Sequence, residues 1–423
     1  MLPPTRTSTQ LAAGALLFAA AAGLRAQDDL DADVRHALDN ARPALLAHLR
    51  AVAVDARPGE LALVLLAAIH DGVAEDDEVF GKAVQRLQKA NPEQTYDFAL
   101  RLLVLEALPS FPGREKLAAA DTKELLKHRD RNGGFSYEKS SGRWDLSNTQ
   151  YGALGLRAGK ALGADVDRTV WSKMAQEIGE QQDSYGGFGY AGKVVGLDNY
   201  ASMTAAGIAV LAICRQHLGG AHKDLDQRIE RGWQWFARHA DTIGSSTERW
   251  SFYFHYGLER AAILTDVVTV GNDDWYRKGA RMLVQQQLPG GGWRSATDGY
   301  QGSNLDRGRG DGVPTAFAIL FLRRKFQKDV APITPHIVRL VNIGPRSPQK
   351  DVDACAQQLV QLGMAAVPDV LQALRSEIEP QRRAAAQALQ AIAGEAFGYD
   401  AARDAADNRD AVRAAELWYL RHR

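Results

Sequence analysis

Cysteine is nearly absent from this chain. Cys214 and Cys355 are the two in 423 residues, and they fall in different, apolar, helix-like contexts. Two thiols so placed make neither a disulfide framework nor a structural zinc site, so no metal and no cofactor is expected. Charge of one sign is absent as well: 51 basic residues balance 51 acidic ones. That excludes capture of nucleic acid by a broad positive face. Alternating β-branched runs are missing, which removes strands as a main building element. The apolar run Leu11–Gly23 is too short to span a bilayer.

That short run has a purpose of its own. Arg6 precedes it, and Leu24-Arg25-Ala26 follows it before the acidic Asp28 and Asp29. A basic start, a short apolar core and a small residue at the cut read as a signal peptide over residues 1–26. The competing reading is a membrane anchor, which the length disfavours. The expected location is therefore secreted or periplasm, with no transmembrane segment after signal cleavage.

What the chain does contain is a repeated turn. Lys278–Trp293 reads KGARMLVQQQLPGGGW, a helix end, a glutamine, glycines and an aromatic. Related strings run from Met174 to Tyr190 and from Lys123 to Tyr137. Their glycine pairs begin at Gly133, Gly186 and Gly291, 53 and 105 residues apart, so the second interval is about two steps of the first. A fixed period of this size marks a repeat architecture. Helices are predicted near 36–52, 59–71, 79–90, 94–108, 115–128, 146–160, 167–182, 199–217, 224–239, 249–265, 273–287 and 313–325.

These segments alternate in character. Residues 224–239 place charges and apolar groups at helical spacing, as on a helix with one wet face. Residues 199–217 carry no charge before Arg215 and read as buried on all sides. Outer and inner helices alternating six times close most economically into a double ring. The glycines would supply positive φ just past a helix end. Gln182 and Gln287, with Arg129 in the first copy, would satisfy orphan carbonyls there.

The string Lys278-Gly279-x3-Leu283-x3-Gln287-x3-Gly291-x-Trp293 resembles the QW repeat of squalene–hopene and oxidosqualene cyclases. Ile178, Gln182, Gly186 and Phe188 keep the same order. A similar ring occurs in the β subunits of protein prenyltransferases. The resemblance covers roughly 36–326 and implies an all-α, (α/α)6 toroid of terpenoid cyclase or prenyltransferase type. Pro332 and Pro335 interrupt the pattern. Residues 335–423 are similar to HEAT-like helical repeats, on LGMAAVPDVLQAL and RRAAAQALQAIAG.

The chemistry of those families is not carried over. The cyclases' Asp-x-Asp-Asp motif does not occur, and Asp198 in GLDNYASMTA stands alone. The prenyltransferases' zinc pair, Asp-x-Cys, has a match only at Asp353-Ala354-Cys355, in the tail. Asn272-Asp273-Asp274 is explained by helix capping.

Candidates for lining a central cavity sit where inner helices begin. They are Trp144, Asp145, Asn148 and Gln150; then Asp198, Asn199, Tyr200, Ser202 and Thr204. Further round are Trp250, Tyr253, His255, Tyr256, Glu259 and Arg260, and finally Asp311 and Thr315. Aromatic faces suit a cationic, isoprenoid or sugar guest, yet the same rings can simply fill the core, and His255 can be a packed histidine. Asp145, Asp198 and Asp311 can cap their helices. Facing one cavity instead, they would raise each other's pKa and create a general acid.

Three functions follow. The first is an exported binding protein that holds a hydrophobic or extended ligand, with the tail as a protein-partner surface. The second is an isoprenoid-processing enzyme with a divergent acid. The third is a polysaccharide lyase or hydrolase acting on a glycan, with Asp145, Glu259 or Asp311 as acid and base.

Overall fold

The computed structural model describes residues 8–51, 57–139, 142–191, 200–219, 222–295, 310–323, 343–344, 347–376, 378–404 and 407–422, of which 8–29, 365, 368 and 420 by their backbone alone. Twelve helices form the first part. They are α1 (Ser8–Ala51), α2 (Pro58–Asp71), α3 (Glu78–Lys89), α4 (Thr95–Ala107), α5 (Arg114–Leu125) and α6 (Leu146–Ala161). Then follow α7 (Arg168–Gln181), α8 (Ala201–Leu218), α9 (Lys223–Arg238), α10 (Ser251–Thr265), α11 (Trp275–Gln286) and α12 (Gly312–Arg323). Among the described residues of the tail are α13 (Gln349–Leu362), α14 (Val367–Ala373), α15 (Glu379–Ala393) and α16 (Arg409–His422).

The even-numbered helices form a closed inner ring. Each packs on the next, α2 on α4, α4 on α6, α6 on α8, α8 on α10 and α10 on α12, and α12 returns to α2. The odd-numbered helices stand outside, with α1 lying against α11, α12, α2 and α3 where the ends of the ring meet. The protein is thus an all-α toroid. Burial follows composition. In α8 every residue from Ala201 to Cys214 is buried, whereas α9 buries only Leu225, Ile229, Gly232, Trp233, Trp235 and Phe236. One face of α9 stays wet, as its charge pattern requires.

Four boundaries differ from the sequence expectation. Asp273 and Asp274 form a two-residue strand paired with Thr269–Val270, and Asp274 caps α11 by accepting from the Arg277 amide at 2.9 Å. Trp250, expected inside a helix, precedes α10 in the left-handed region at φ 58°. The segment expected at 115–128 ends in a 3-10 turn over Leu126–His128. The first helix also begins well before residue 36, at Ser8.

Buried apolar residues of the ring and of the tail form two separate clusters. Cys214 belongs to the first and Cys355 to the second, and no disulfide joins them. The expected break at 327–334 lies outside the described residues.

The corners carry the repeat. After α5, α7 and α11 the backbone makes the same five-residue turn, with Asp130, Asp183 and Leu288 donating their amides to the carbonyls of Gly134, Gly187 and Gly292 at 2.9, 3.1 and 2.9 Å. The first glycine of each pair has positive φ: 124° at Gly133, 91° at Gly186 and 86° at Gly291. Each also presses on the next outer helix. A β-carbon there would meet Lys173 and Met174 of α7, Arg231 of α9 or Asn40 of α1 within 2.7, 2.2 and 2.0 Å. The fifth corner lacks the pair, but Gly244, at φ 78°, approaches the Lys278 carbonyl of α11 in the same way.

The glutamines do something other than cap their own helices. Gln182 donates to the Gly186 carbonyl and to Arg228 of α9, at 3.1 and 2.8 Å. Gln287 donates to Gly291 and to Ala37 of α1, at 2.8 and 2.7 Å. Each therefore ties its turn to the next outer helix. Arg129 does not reproduce this contact, and its Nη1 is buried without a hydrogen-bond partner.

Candidate functional site

The residue after each glycine pair is aromatic, and both of its backbone groups are fixed by the inner helix that follows. The amides of Phe135, Phe188 and Trp293 donate to the hydroxyls of Thr149, Thr204 and Thr315, at 3.0, 3.2 and 3.0 Å. Their carbonyls accept from Asp145, Tyr200 and Asp311, at 3.1, 3.4 and 2.8 Å. Each threonine stands four residues after that first residue, an order repeated in DLSNT, YASMT and DGVPT. Thr204 and Thr315 are fully buried by this arrangement.

Two residues further on, the first two copies carry a tyrosine. The Tyr137 carbonyl accepts from the Thr95 amide that begins α4, at 3.2 Å, and the Tyr190 carbonyl from the Leu146 amide that begins α6, at 2.8 Å. Each thus satisfies an orphan donor at the start of the preceding inner helix. The two rings stand exposed at this end, 43% and 40% accessible, with hydroxyls 3.4 Å apart.

From Tyr137 a ladder of rings runs into the toroid. Tyr137 stacks on Tyr96 of α4 at 5.9 Å, and Tyr96 meets Tyr151 of α6 at 4.4 Å. Tyr151 stacks on Tyr253 of α10 at 6.3 Å, and Tyr253 meets Phe317 of α12 edge-on at 6.2 Å. The Tyr253 hydroxyl also donates to Gln150 Oε1 of α6 at 2.6 Å. Helices α6 and α10 are separated by α8 in the ring, so these side chains meet across its interior. Phe317 continues to Tyr256 at 5.2 Å, and Arg260 lies over the Tyr256 ring at 4.9 Å.

The sequence candidates divide by position. Asp145 caps α6: it accepts from the Asn148 amide at 2.8 Å, the Asn148 side chain at 2.7 Å and the Ser147 hydroxyl at 2.6 Å. Tyr200 begins α8 nearby, half-buried. Burial raises its pKa, with the Asp145 charge in the same direction and Arg249 opposing. Burial likewise raises Tyr190, helped by Tyr137 and Asp145. Asp311 pairs with Arg294 at 3.3 Å. Glu259 pairs with its neighbour Arg260 at 2.6 Å, both fully enclosed.

Two candidates turn away from the interior. Trp144 packs over Gly134, where a β-carbon would meet the indole at 2.3 Å, and hydrogen-bonds Glu177 of outer helix α7. His255 accepts from the Gly244 amide through Nε2 at 3.0 Å and bonds the Ser251 carbonyl through Nδ1 at 2.7 Å. It thereby pins the corner that lacks a glycine pair, and burial lowers its pKa to about 4.

Asn148, Thr204, His255, Tyr256, Glu259 and Thr315 are at most 1% accessible, so among the candidates solvent meets Tyr200 and Trp250 and only slightly Tyr253, Asp145 and Asp311. Asp198 and Asn199 lie outside the described residues.

Sequence reasoning missed Tyr96, Tyr137, Tyr190 and Phe317 as a set. The Phe-x-Tyr spacing shared by Phe135-Tyr137 and Phe188-Tyr190 was the available signal. It also missed Glu60, on the first turn of inner helix α2, whose carboxyl burial raises.

Two grooves lie elsewhere, on the outer helices. One of about 720 Å³ runs between α7 and α9, lined by Arg168, Glu180, His222, Lys223 and Arg228 among others. The second, of about 340 Å³, lies beside Lys278 and Arg281 of α11. Among the described residues no group of three or more histidine, cysteine or acidic side chains is placed to hold a metal, and no helix is long and apolar enough to cross a membrane.

No family model matches the chain, and no curated protein does. Among solved structures the chain is similar to the type II terpene cyclase MstE from Scytonema. The ligand-free form gives a TM-score of 0.44 at 15% identity, covering 70% of this chain and 98% of that one. Two variants of MstE in complex with geranylgeranyl dihydroxybenzoate give 0.45 and 0.46, at 13% and 14% identity and the same coverage. Those values are low, and the closed ring rests on this chain's own helix contacts.

Proposed function

We propose that this is an exported, non-catalytic binding protein of terpenoid cyclase-like form, which receives an elongated, largely apolar guest at the glycine-loop end of the ring. The observation that carries this reading is the ladder of rings from exposed Tyr137 to enclosed Phe317. Tyrosine offers an apolar face and a polar tip, which suits a surface wet at one end and dry at the other. Trp250 adds to it. A bulky residue in the left-handed region costs about 1–2 kcal/mol, and such strain concentrates at ligand clamps and active sites.

The carboxylates at this end favour binding over catalysis. A general acid needs a carboxyl kept protonated by burial or by a like charge. Asp145 instead accepts three hydrogen bonds, Glu259 pairs with Arg260, and Asp311 pairs with Arg294. Glu60 favours the second reading, an isoprenoid-processing enzyme with a divergent acid, because its carboxyl is raised by burial. The tail is read as a pair of HEAT-like units.

The test is mass spectrometry of material extracted from the purified full chain and from a Tyr96→Ala, Tyr137→Ala variant. The account expects a lipid-like compound with the natural chain and at least tenfold less with the variant. A glycan, or equal yield from both, contradicts it. A product that turns over, and stops doing so in Glu60→Gln, moves the protein to the enzyme reading.

A further inference from the structure

The tail touches the ring through one strongly charged contact. Glu416 of α16 lies between two arginines, accepting from Arg114 of α5 at 3.2 Å and from Arg375, which follows α14. Beside it Arg413 approaches Glu115 of α5 at 4.0 Å. Arg114 is 4% accessible and Glu416 15%, so the contact is largely closed to water. Burial alone would raise the Glu416 carboxyl; the charges of Arg375 and Arg114 overcome it and hold the group below the ordinary glutamate range.

Arg114 faces two ways. Its Nε donates to the Leu105 carbonyl at 2.7 Å while its Nη1 reaches Glu416. Leu105 lies in the last turn of inner helix α4, where carbonyls have no partner within the helix. The next residue, Glu106, holds Arg157 of α6 at 3.0 Å. The guanidinium thus joins the tail to a helix of the inner ring. Arginine suits that double contact because its fork presents donors in a fixed plane; lysine offers only one ammonium centre.

We propose that Glu416 latches the tail onto α5, and that the latch holds Arg114 against the end of α4. Separating α16 from α5 has to break this latch, and in doing so loosens one inner helix. The tail is then a strut of the ring whose removal the ring can sense.

Hydrogen–deuterium exchange on the full-length protein tests this. Glu416→Gln keeps the side-chain shape and removes the charge. The expected result is about tenfold faster exchange over 104–117 and over 409–422, with the amides of α8 and α10 unchanged. Faster exchange confined to the tail means that Glu416 serves Arg375 alone, and overturns the proposal, as does no change. Should Glu416→Gln fail to fold, Arg114→Lys is read in the same way. It keeps the charge for Glu416 but gives up the second contact, so it accelerates 104–111 more than 409–422 if the proposal holds. Equal or reversed acceleration contradicts it.

Discussion

Gly291 has a φ of 86°, and the Asn40 carbonyl lies 2.0 Å from where a β-carbon would stand. Both the backbone region and the close approach exclude a side chain. Gly291→Ala is therefore expected to lower stability by about 3 kcal/mol in urea unfolding, the combined cost of left-handed strain and overpacking. Gly81→Ala serves as the control, because nothing lies within 4 Å of where its added methyl group would stand. His255 makes a second prediction. Its Nε2 accepts a hydrogen bond, so protonation there breaks it. Its pKa falls to about 4 in the fold, against an ordinary 6.5. The unfolded chain then binds a proton between these values that the folded chain does not, and stability falls as pH drops from 6.5 towards 4. The loss from this residue is about 3 kcal/mol. His217, lowered by burial to about 4, adds to it. Chemical denaturation across that range should show the slope, and His255→Gln should reduce it by about half. The glycine's role was legible from its spacing. That of His255 was not, because nothing local shows that its ring meets a loop eleven residues upstream.

Among the helices, two buried carboxylates hold elements together in different ways. Arg101 of α4 grips Asp121 of α5 with two bonds of 2.7 and 2.6 Å and also donates to the Ala90 carbonyl at the end of α3, at 2.8 Å. Its side chain is 5% accessible. Asp121→Ala leaves that charge buried without its partner, so a loss of about 3–5 kcal/mol is expected. Asp71 of α2 is enclosed too, but its arginines are not. Arg42 of α1, at 2.7 Å, is 42% accessible, and Arg323 of α12, at 2.5 Å, is 22%. Both guanidinium groups can turn to water, so Asp71→Ala should cost only about 1–3 kcal/mol. Thermal unfolding of the two variants side by side checks the order. Helix character and sequence were legible because burial on all sides and burial on one face write different patterns. The corner at Asp273-Asp274 was not, since two residues of strand leave no period to read.

For the whole molecule, ring closure was implied by alternation of helix type and is made concrete by α12 returning to α2 and by Gln287 reaching Ala37 of α1. The tail's attachment could not be read, because Arg114 and Glu416 stand 302 residues apart. The ladder was half visible: Tyr253 and Tyr256 stood out in one aromatic-rich helix, while Tyr96, Tyr137 and Phe317 come to it from other parts of the ring. That ladder is the central claim, and hydroxyl-radical footprinting of the natural chain, with and without the extracted guest, tests it most directly. The account predicts protection of Tyr137, Tyr190 and Tyr96 on binding, with Tyr185, 62% accessible on the outside of its turn, labelled equally in both states. Protection confined to the α7–α9 groove, at His222 and its neighbours, or no protection of the three tyrosines, would contradict it.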